Sequence, residues 1–272
     1  MEAGRLQKSV RTLRKGLKSL PSDPAPEQVH RLRTGARQME TVASALLPAN
    51  ANKTRQLLKT IKPLRKAAGS VRDMDVMTSN ALKLAETPGH DSLARLVTYL
   101  RSTRQENAAE LVDAVKRRRK AARLHLKRFA KRVESALKAG DSGVRAVRLE
   151  GGVRDAEENL RRDLTQRPEL GADNIHRFRL KIKELRSLLQ LERDSDAGFV
   201  RALGNAKSKI GEWHDWQQLR EIADEILNLQ EDRALLMQID ATAKRKLEDA
   251  LTASNKLRRK FLKPILIFKK TA

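Results

Sequence analysis

The chain has 272 residues with 58 Lys and Arg against 34 Asp and Glu, so it is long enough to bury a sizeable core, and its formal net charge of +24 makes a polyanion the expected partner. It contains no cysteine, which excludes disulfides, thiolate metal sites and thiol nucleophiles and fits a reducing, cytoplasmic setting. Aromatic residues make up only 3%, little material for stacking single-stranded bases, and no apolar run approaches the roughly 18 residues of a spanning helix.

Helical signals dominate and no strand is expected: Gly and Pro are sparse, and apolar residues recur at spacings of three and four. Residues 1–20 read as a first bundle helix with Leu6, Val10, Leu13 and Leu17 inward, in preference to the transit peptide or membrane-surface helix that a basic amphipathic stretch also resembles. Pro21, Pro24 and Pro26 end that helix and open a second, which is expected to stop at Pro48. Asn50 or Asn52 caps a third helix carrying Leu57, Leu58, Ile61, Leu64 and Val71, with Pro63 as a kink and Gly69 inside. Pro88-Gly89 is a break and Asp91-Ser92 a new cap. From 93 to 139 there is neither Gly nor Pro, which predicts one long helix or two joined at a tight corner. Gly140, Gly143, Gly151 and Gly152 then mark a linker, dividing the chain into a first half at 1–140, a linker at 141–152 and a second half at 153–272. The second half opens with a helix bearing Val153, Leu160 and Leu164, followed by a connector with Pro168 and Gly171 and a cap at Asp173. The apolar tail at 261–268 is too short to span a membrane and is expected to pack on the body.

The chain repeats itself. The stretch His30-Arg-Leu-Arg33-Thr-Gly-Ala-Arg37 returns as His176-Arg-Phe-Arg179-Leu-Lys-Ile-Lys183. On a helix, residues at i, i+3 and i+7 share a face, so His30, Arg33 and Arg37 form one basic stripe and His176, Arg179 and Lys183 another. Leu32, Met39 and Leu46 fall opposite the first stripe, and Phe178, Ile182, Leu185 and Leu189 opposite the second. Further on, Gly69-Ser-Val-Arg72-Asp73 matches Gly211-Glu-Trp-His214-Asp215, with Arg65 and Lys207 each four residues before the glycine. His30 and Asp73 stand 43 residues apart and His176 and Asp215 39, so a duplicated unit of about four helices is the economical explanation.

The paired His-x-x-Arg-x-x-x-Arg/Lys helices, the segment Val71-Arg72-Asp73-Met-Asp75-Val76 and the duplication resemble the CHAD family, the conserved histidine α-helical domain, over essentially the whole chain. The resemblance implies an all-α fold of two four-helix bundles related by a pseudo-two-fold, a basic channel lined by helices from both, and binding of inorganic polyphosphate. Carried over by position, the ligand-facing residues are His30, Arg33, Arg37, His176, Arg179 and Lys183, supported by Arg65, Lys66, Arg72, Arg186 and Lys207. The second copy departs from the pattern: His214 stands where the first has Arg72, and Gln217 where it has Asp75.

The residues support an anion site in their own right. Neither stripe holds an acidic residue, whereas a merely soluble face mixes signs. Arginine grips phosphate oxygens in pairs and lysine supplies a point charge. An imidazole beside a polyanion is biased toward protonation, so binding is expected to tighten below about pH 6.5. None of the five histidines has a second ligand of the usual kind at i+3 or i+4, so no metal site and no cofactor is expected. Asp73, Asp75 and Asp215 read as carboxylates that orient neighbouring cations, not as hydrolytic acids. There is no P-loop, no Ser/His/Asp order and no Glu-x-Glu-x-Lys segment, which points to a binding module without catalysis. The densest charge lies in 116–132, which lacks acids altogether; it reads as one side of a packed helix, with Arg119 and Arg123 as further channel-lining candidates. Trp213 and Trp216 read as core or interface fillers and not as stacking residues.

The expectation is therefore noncatalytic capture of long-chain inorganic polyphosphate, in the cytoplasm and on polyphosphate granules. A nucleic-acid-binding or nucleoid-associated protein is the alternative. A phosphate-handling enzyme ranks last.

Overall fold

The computed structural model describes residues 3–46, 52–84, 90–138, 142–167, 169–190 and 195–262. Among these residues there are eight helices and no strand: α1 (Ala3–Lys18), α2 (Pro26–Leu46), α3 (Asn52–Leu82), α4 (His90–Lys138), α5 (Ser142–Gln166), α6 (Ile175–Leu189), α7 (Ala197–Ile226) and α8 (Arg233–Phe261). The fold is all-α. No helix of the described residues is long and apolar enough to cross a membrane. Pro48, Asn50, Pro88, Gly89, Pro168 and the tail beyond Leu262 lie outside the described residues, as do the side chains of Leu6 and Leu46.

The chain forms two compact units, Met1–Arg148 with Glu221–Leu236, and Leu149–Arg220 with Met237–Ala272. In the first unit the inward positions follow the helical period. Val10, Leu13 and Leu17 of α1, Leu32 and Met39 of α2, and Leu57, Ile61, Leu64 and Val71 of α3 are all buried, while Leu58 is half-buried. Pro26 stands at the first helical position of α2, where its missing N–H costs nothing. α3 runs through Pro63, which leaves the carbonyl of Lys59 without its usual donor. The stretch without Gly or Pro is a single helix of 49 residues, ~74 Å long. It buries Leu96, Leu100, Leu111, Ala122, Leu126 and Phe129 against the unit.

Residues 221–236 join the first unit through a buried carboxylate. Asp232 accepts hydrogen bonds from the Ser92 hydroxyl, from Arg95 at 2.5 Å and from the Asn228 backbone N–H at 2.8 Å. The Ser92 hydrogen bond, together with those of Asn228 and Arg95, outweighs burial and holds the Asp232 carboxyl below the usual aspartate value.

The second unit packs Leu160 and Leu164 of α5, Ile175, Phe178, Ile182 and Leu185 of α6, Leu203, Ile210 and Trp213 of α7, and Leu257 of α8 into one cluster. Trp213 and Trp216 are buried, as fillers should be. Phe261 stacks on Phe199 at 5.1 Å, and its carbonyl accepts from Arg161 at 2.9 Å, so the start of the apolar tail packs on this unit.

Two local features differ from the sequence reading. The glycine-rich stretch is helical from Ser142 onward, and the division between units falls inside it, between Arg148 and Leu149. A glycine costs a helix about 1 kcal/mol relative to alanine, and the buried Val153, Leu160 and Leu164 on the same helix offset that cost. The α6 cap falls at Asn174 and not at Asp173. Its side-chain Oδ1 accepts from the Gly171 N–H at 3.0 Å and its Nδ2 donates to the Glu169 carbonyl at 2.9 Å, closing the connector instead of capping the helix.

Candidate functional site

In the first unit the basic stripe of α2 lies against α3. Arg33 reaches across Gly69, its Nε 3.7 Å from where a Cβ on that glycine would stand, and approaches Asp73 Oδ1 at 3.7 Å. A methyl group at position 69 would make ordinary van der Waals contact with the guanidinium. His30 is exposed at the start of the stripe and Arg37 half-buried further along. Three residues beyond Arg37, Glu40 turns toward α3 and takes Arg65, whose Nε donates to both carboxylate oxygens at 3.0 and 2.9 Å. Arg65 is thus committed to a carboxylate on its own unit. Arg72 is half-buried and Lys66 exposed on α3.

Behind this face, Asp75 supports the bundle. Its carboxylate accepts from Arg104 Nε of α4 at 2.9 Å, and Arg104 also donates to Asp23 at 3.1 Å and to the Pro24 carbonyl at 2.5 Å. Burial opposes the Arg104 charge, but the hydrogen bonds and charges of Asp75 and Asp23 prevail and raise its pKa. Asp75 thus accepts a hydrogen bond from an arginine of the neighbouring helix, and Asp73 forms a longer ion pair with one. On α4, Arg119 is exposed and Arg123 half-buried, and neither forms an ion pair among the described residues. The helix is tied to α3 nearby by Thr60 and His125, whose Oγ1 and Nδ1 are 3.0 Å apart.

The second unit builds the same pairing between α6 and α7. Arg179 lies over Gly211, its terminal nitrogen 3.3 Å from where a Cβ would be. One heptad along α6, Arg186 lies over Gly204 with Nε 3.0 Å from the corresponding point. Because the two arginines are seven apart in one direction and the two glycines seven apart in the other, α6 and α7 run antiparallel with the arginines laid onto the bare backbone of α7. The Arg186 terminal nitrogen reaches Gln190 Oε1 at only 3.4 Å. Lys183 and Lys207 are half-buried. The intervening cations of α6 are dealt with separately: Arg177 and Lys181 turn to Asp163 of α5 at 2.7 and 3.3 Å. His214, which replaces the arginine of the first copy, meets the exposed His176 edge to face with ring centroids 5.1 Å apart. Among the described residues no three His, Asp or Glu side chains gather as a metal ion would require.

A family model of the CHAD domain matches residues 4–224. The chain belongs to the CHAD family. It is similar to the crystal structure of the CHAD domain from the plant Ricinus communis, with a TM-score of 0.62 and 15% sequence identity over 93% of this chain and 88% of that one. At that identity the likeness shows the fold alone. No curated protein matches the chain.

Within this CHAD chain, sequence reasoning placed the arginine stripes but missed two residues that shape them. Glu40 was within reach, since aligning His30 with His176 sets Glu40 opposite Arg186 and exposes a reversal of charge. Gly204 carried a signal only once α6 and α7 were known to be antiparallel neighbours.

Proposed function

We propose that this CHAD chain binds long-chain inorganic polyphosphate without transforming it, through the basic faces of α2–α3 and α6–α7. What carries the reading is the repeated construction: Arg33 over Gly69 and Arg179 over Gly211 each present a guanidinium fork braced on bare helix backbone. A braced fork loses little side-chain freedom when it meets two phosphate oxygens. Two such faces on one polymer act as linked sites, so affinity rises with chain length without any new contact. Localisation to polyphosphate granules in the cytoplasm follows as part of the proposal, as does the lack of catalysis: bound polymer is returned intact.

Replacing His30, Arg33, Arg37, His176, Arg179 and Lys183 with alanine is expected to weaken polyphosphate binding at least tenfold for each ~1.4 kcal/mol of lost contact, with helicity by circular dichroism unchanged. A folded variant that binds as tightly as the unmodified protein refutes the assignment of these faces. One observation favours nucleic acid instead: on α4, Lys116, Arg117, Arg119, Lys120, Lys127, Arg128 and Lys131 are exposed in a stretch free of acids. That reading predicts duplex binding that survives polyphosphate competition.

A further inference from the structure

The two copies of the motif differ in charge at one corner. Aligning the His30 and His176 helices sets Glu40 opposite Arg186, and aligning Gly69 with Gly211 sets Arg65 opposite Lys207 and Lys62 opposite Gly204. In the first unit the aligned pair is Glu40 with Arg65, closed on itself at 2.9 and 3.0 Å. In the second the aligned positions hold Arg186 and Lys207, so neither supplies a carboxylate to the other. Geometry links these substitutions. A Cβ at position 204 would stand 3.0 Å from Arg186 Nε, so the guanidinium lies this close to the α7 backbone because the residue is glycine and would have to shift over any larger one. Where the first copy has Lys62, it carries Glu40 in place of the arginine.

We infer that the two faces are unequal anion sites: the α6–α7 face is the stronger oligophosphate contact, and Glu40 weakens the α2–α3 face by occupying Arg65 with an internal carboxylate. A phosphate approaching Arg65 finds Nε already donating to both oxygens of the Glu40 carboxylate, and it meets that carboxylate's negative charge whichever nitrogen it approaches. A phosphate approaching Arg186 displaces only a long hydrogen bond to the neutral Gln190 at 3.4 Å. Arg186 packs its guanidinium against Gly204, with Nε buried and lacking a hydrogen-bond acceptor and Nη1 holding only the long bond to Gln190. Glu40 in this sense attenuates the first face, and Gly204 positions the arginine of the second.

The inference rests on the polyphosphate reading, and the test separates the two. Tripolyphosphate is titrated into the full chain and its Arg186→Gln, Arg65→Gln, Glu40→Gln and Gly204→Ala variants at several salt concentrations. Arg186→Gln is expected to weaken binding about tenfold and to lower the salt slope by about one counterion. Arg65→Gln is expected to change it less than about twofold, and Glu40→Gln to strengthen it about threefold or more, by releasing Arg65. Gly204→Ala, which moves Arg186 without removing charge, is expected to weaken binding with the salt slope retained. A loss in Arg65→Gln equal to or larger than that in Arg186→Gln, or no gain in Glu40→Gln, overturns the inference while leaving polyphosphate binding intact. Glu40→Gln keeps the shape of the side chain, so it decides the matter even where Arg65→Gln fails to fold. Failure of the unmodified protein to bind either tripolyphosphate or long chains would sink both the inference and the function it rests on.

Discussion

Arg179 lies 3.3 Å from the point where a Cβ on Gly211 would stand, and Arg33 holds the matching place over Gly69 at 3.7 Å. The difference of a few tenths of an ångström separates a tight fit from an ordinary contact. Alanine at 211 must push the guanidinium aside, whereas alanine at 69 is accommodated. Both substitutions raise helix propensity by about 1 kcal/mol. Gly69→Ala is therefore expected to raise the unfolding midpoint with polyphosphate affinity unchanged, and Gly211→Ala to lower affinity with stability unchanged or higher. Equal effects of the two on binding would show that the glycines do not set the arginine positions.

The Asp75–Arg104 pair should matter for stability. Asp75 is 5% exposed and Arg104 18%, and together they tie α3, α4 and the proline connector. Arg104→Ala leaves a buried carboxylate without its cation and is expected to cost about 3 kcal/mol in urea denaturation. The double variant with Asp75→Asn should recover part of that loss, and strict additivity would argue against coupling.

Acid should loosen the first unit through Asp232. Its folded pKa lies below the unfolded value, through the Ser92 hydroxyl first and then Asn228 and Arg95. The contribution is therefore fully present above the unfolded aspartate value of about 3.9 and is lost as pH falls through the lower folded value. Ser92→Ala should lower the urea midpoint at pH 7 and narrow the drop between pH 5 and 2.5. A pH profile parallel to that of the unmodified protein would exclude Asp232 as a contributor. Asp240, held down by Lys244 and Arg220, and Glu212, held down by Lys246 and Lys209 against burial, act in the same direction in the second unit.

Gly151 and Gly152 sit in α5 with open space where a Cβ would be. Alanine at each is expected to stabilise by about 0.5–1 kcal/mol. A loss of stability would mean that the helix needs a glycine conformation at one of these positions.

Most of the fold could be read from spacing. Val10, Leu13 and Leu17, and Phe178, Ile182, Leu185 and Leu189, are buried as their period requires, because apolar burial acts on whole helix faces and is insensitive to one-residue detail. The duplicated stripes were visible for the same reason. What stayed hidden depends on pairwise contacts across the bundle. Residues 221–236 group with the first unit because Asp232 meets Ser92 and Arg95, residues 140 and 137 positions earlier, and no local pattern announces that pairing. The α5 helix persists through its glycines because burial of neighbours outweighs local propensity. Arg65 looked like an open cation because Glu40 lies one turn beyond the stripe that ends at Arg37, and only the packing of α2 on α3 shows that the two meet.

On the function proposed above, this chain selects polyphosphate through placed arginines, not through a bulk charge of +24. The most direct test is titration with long-chain polyphosphate and with length-matched double-stranded DNA over a range of salt concentrations, since counterion release makes any single-salt affinity uninterpretable. Polyphosphate is predicted to bind far tighter and to keep its advantage at high salt. Equal affinities that fall together as salt rises would contradict the account and move the nucleic acid reading to first place.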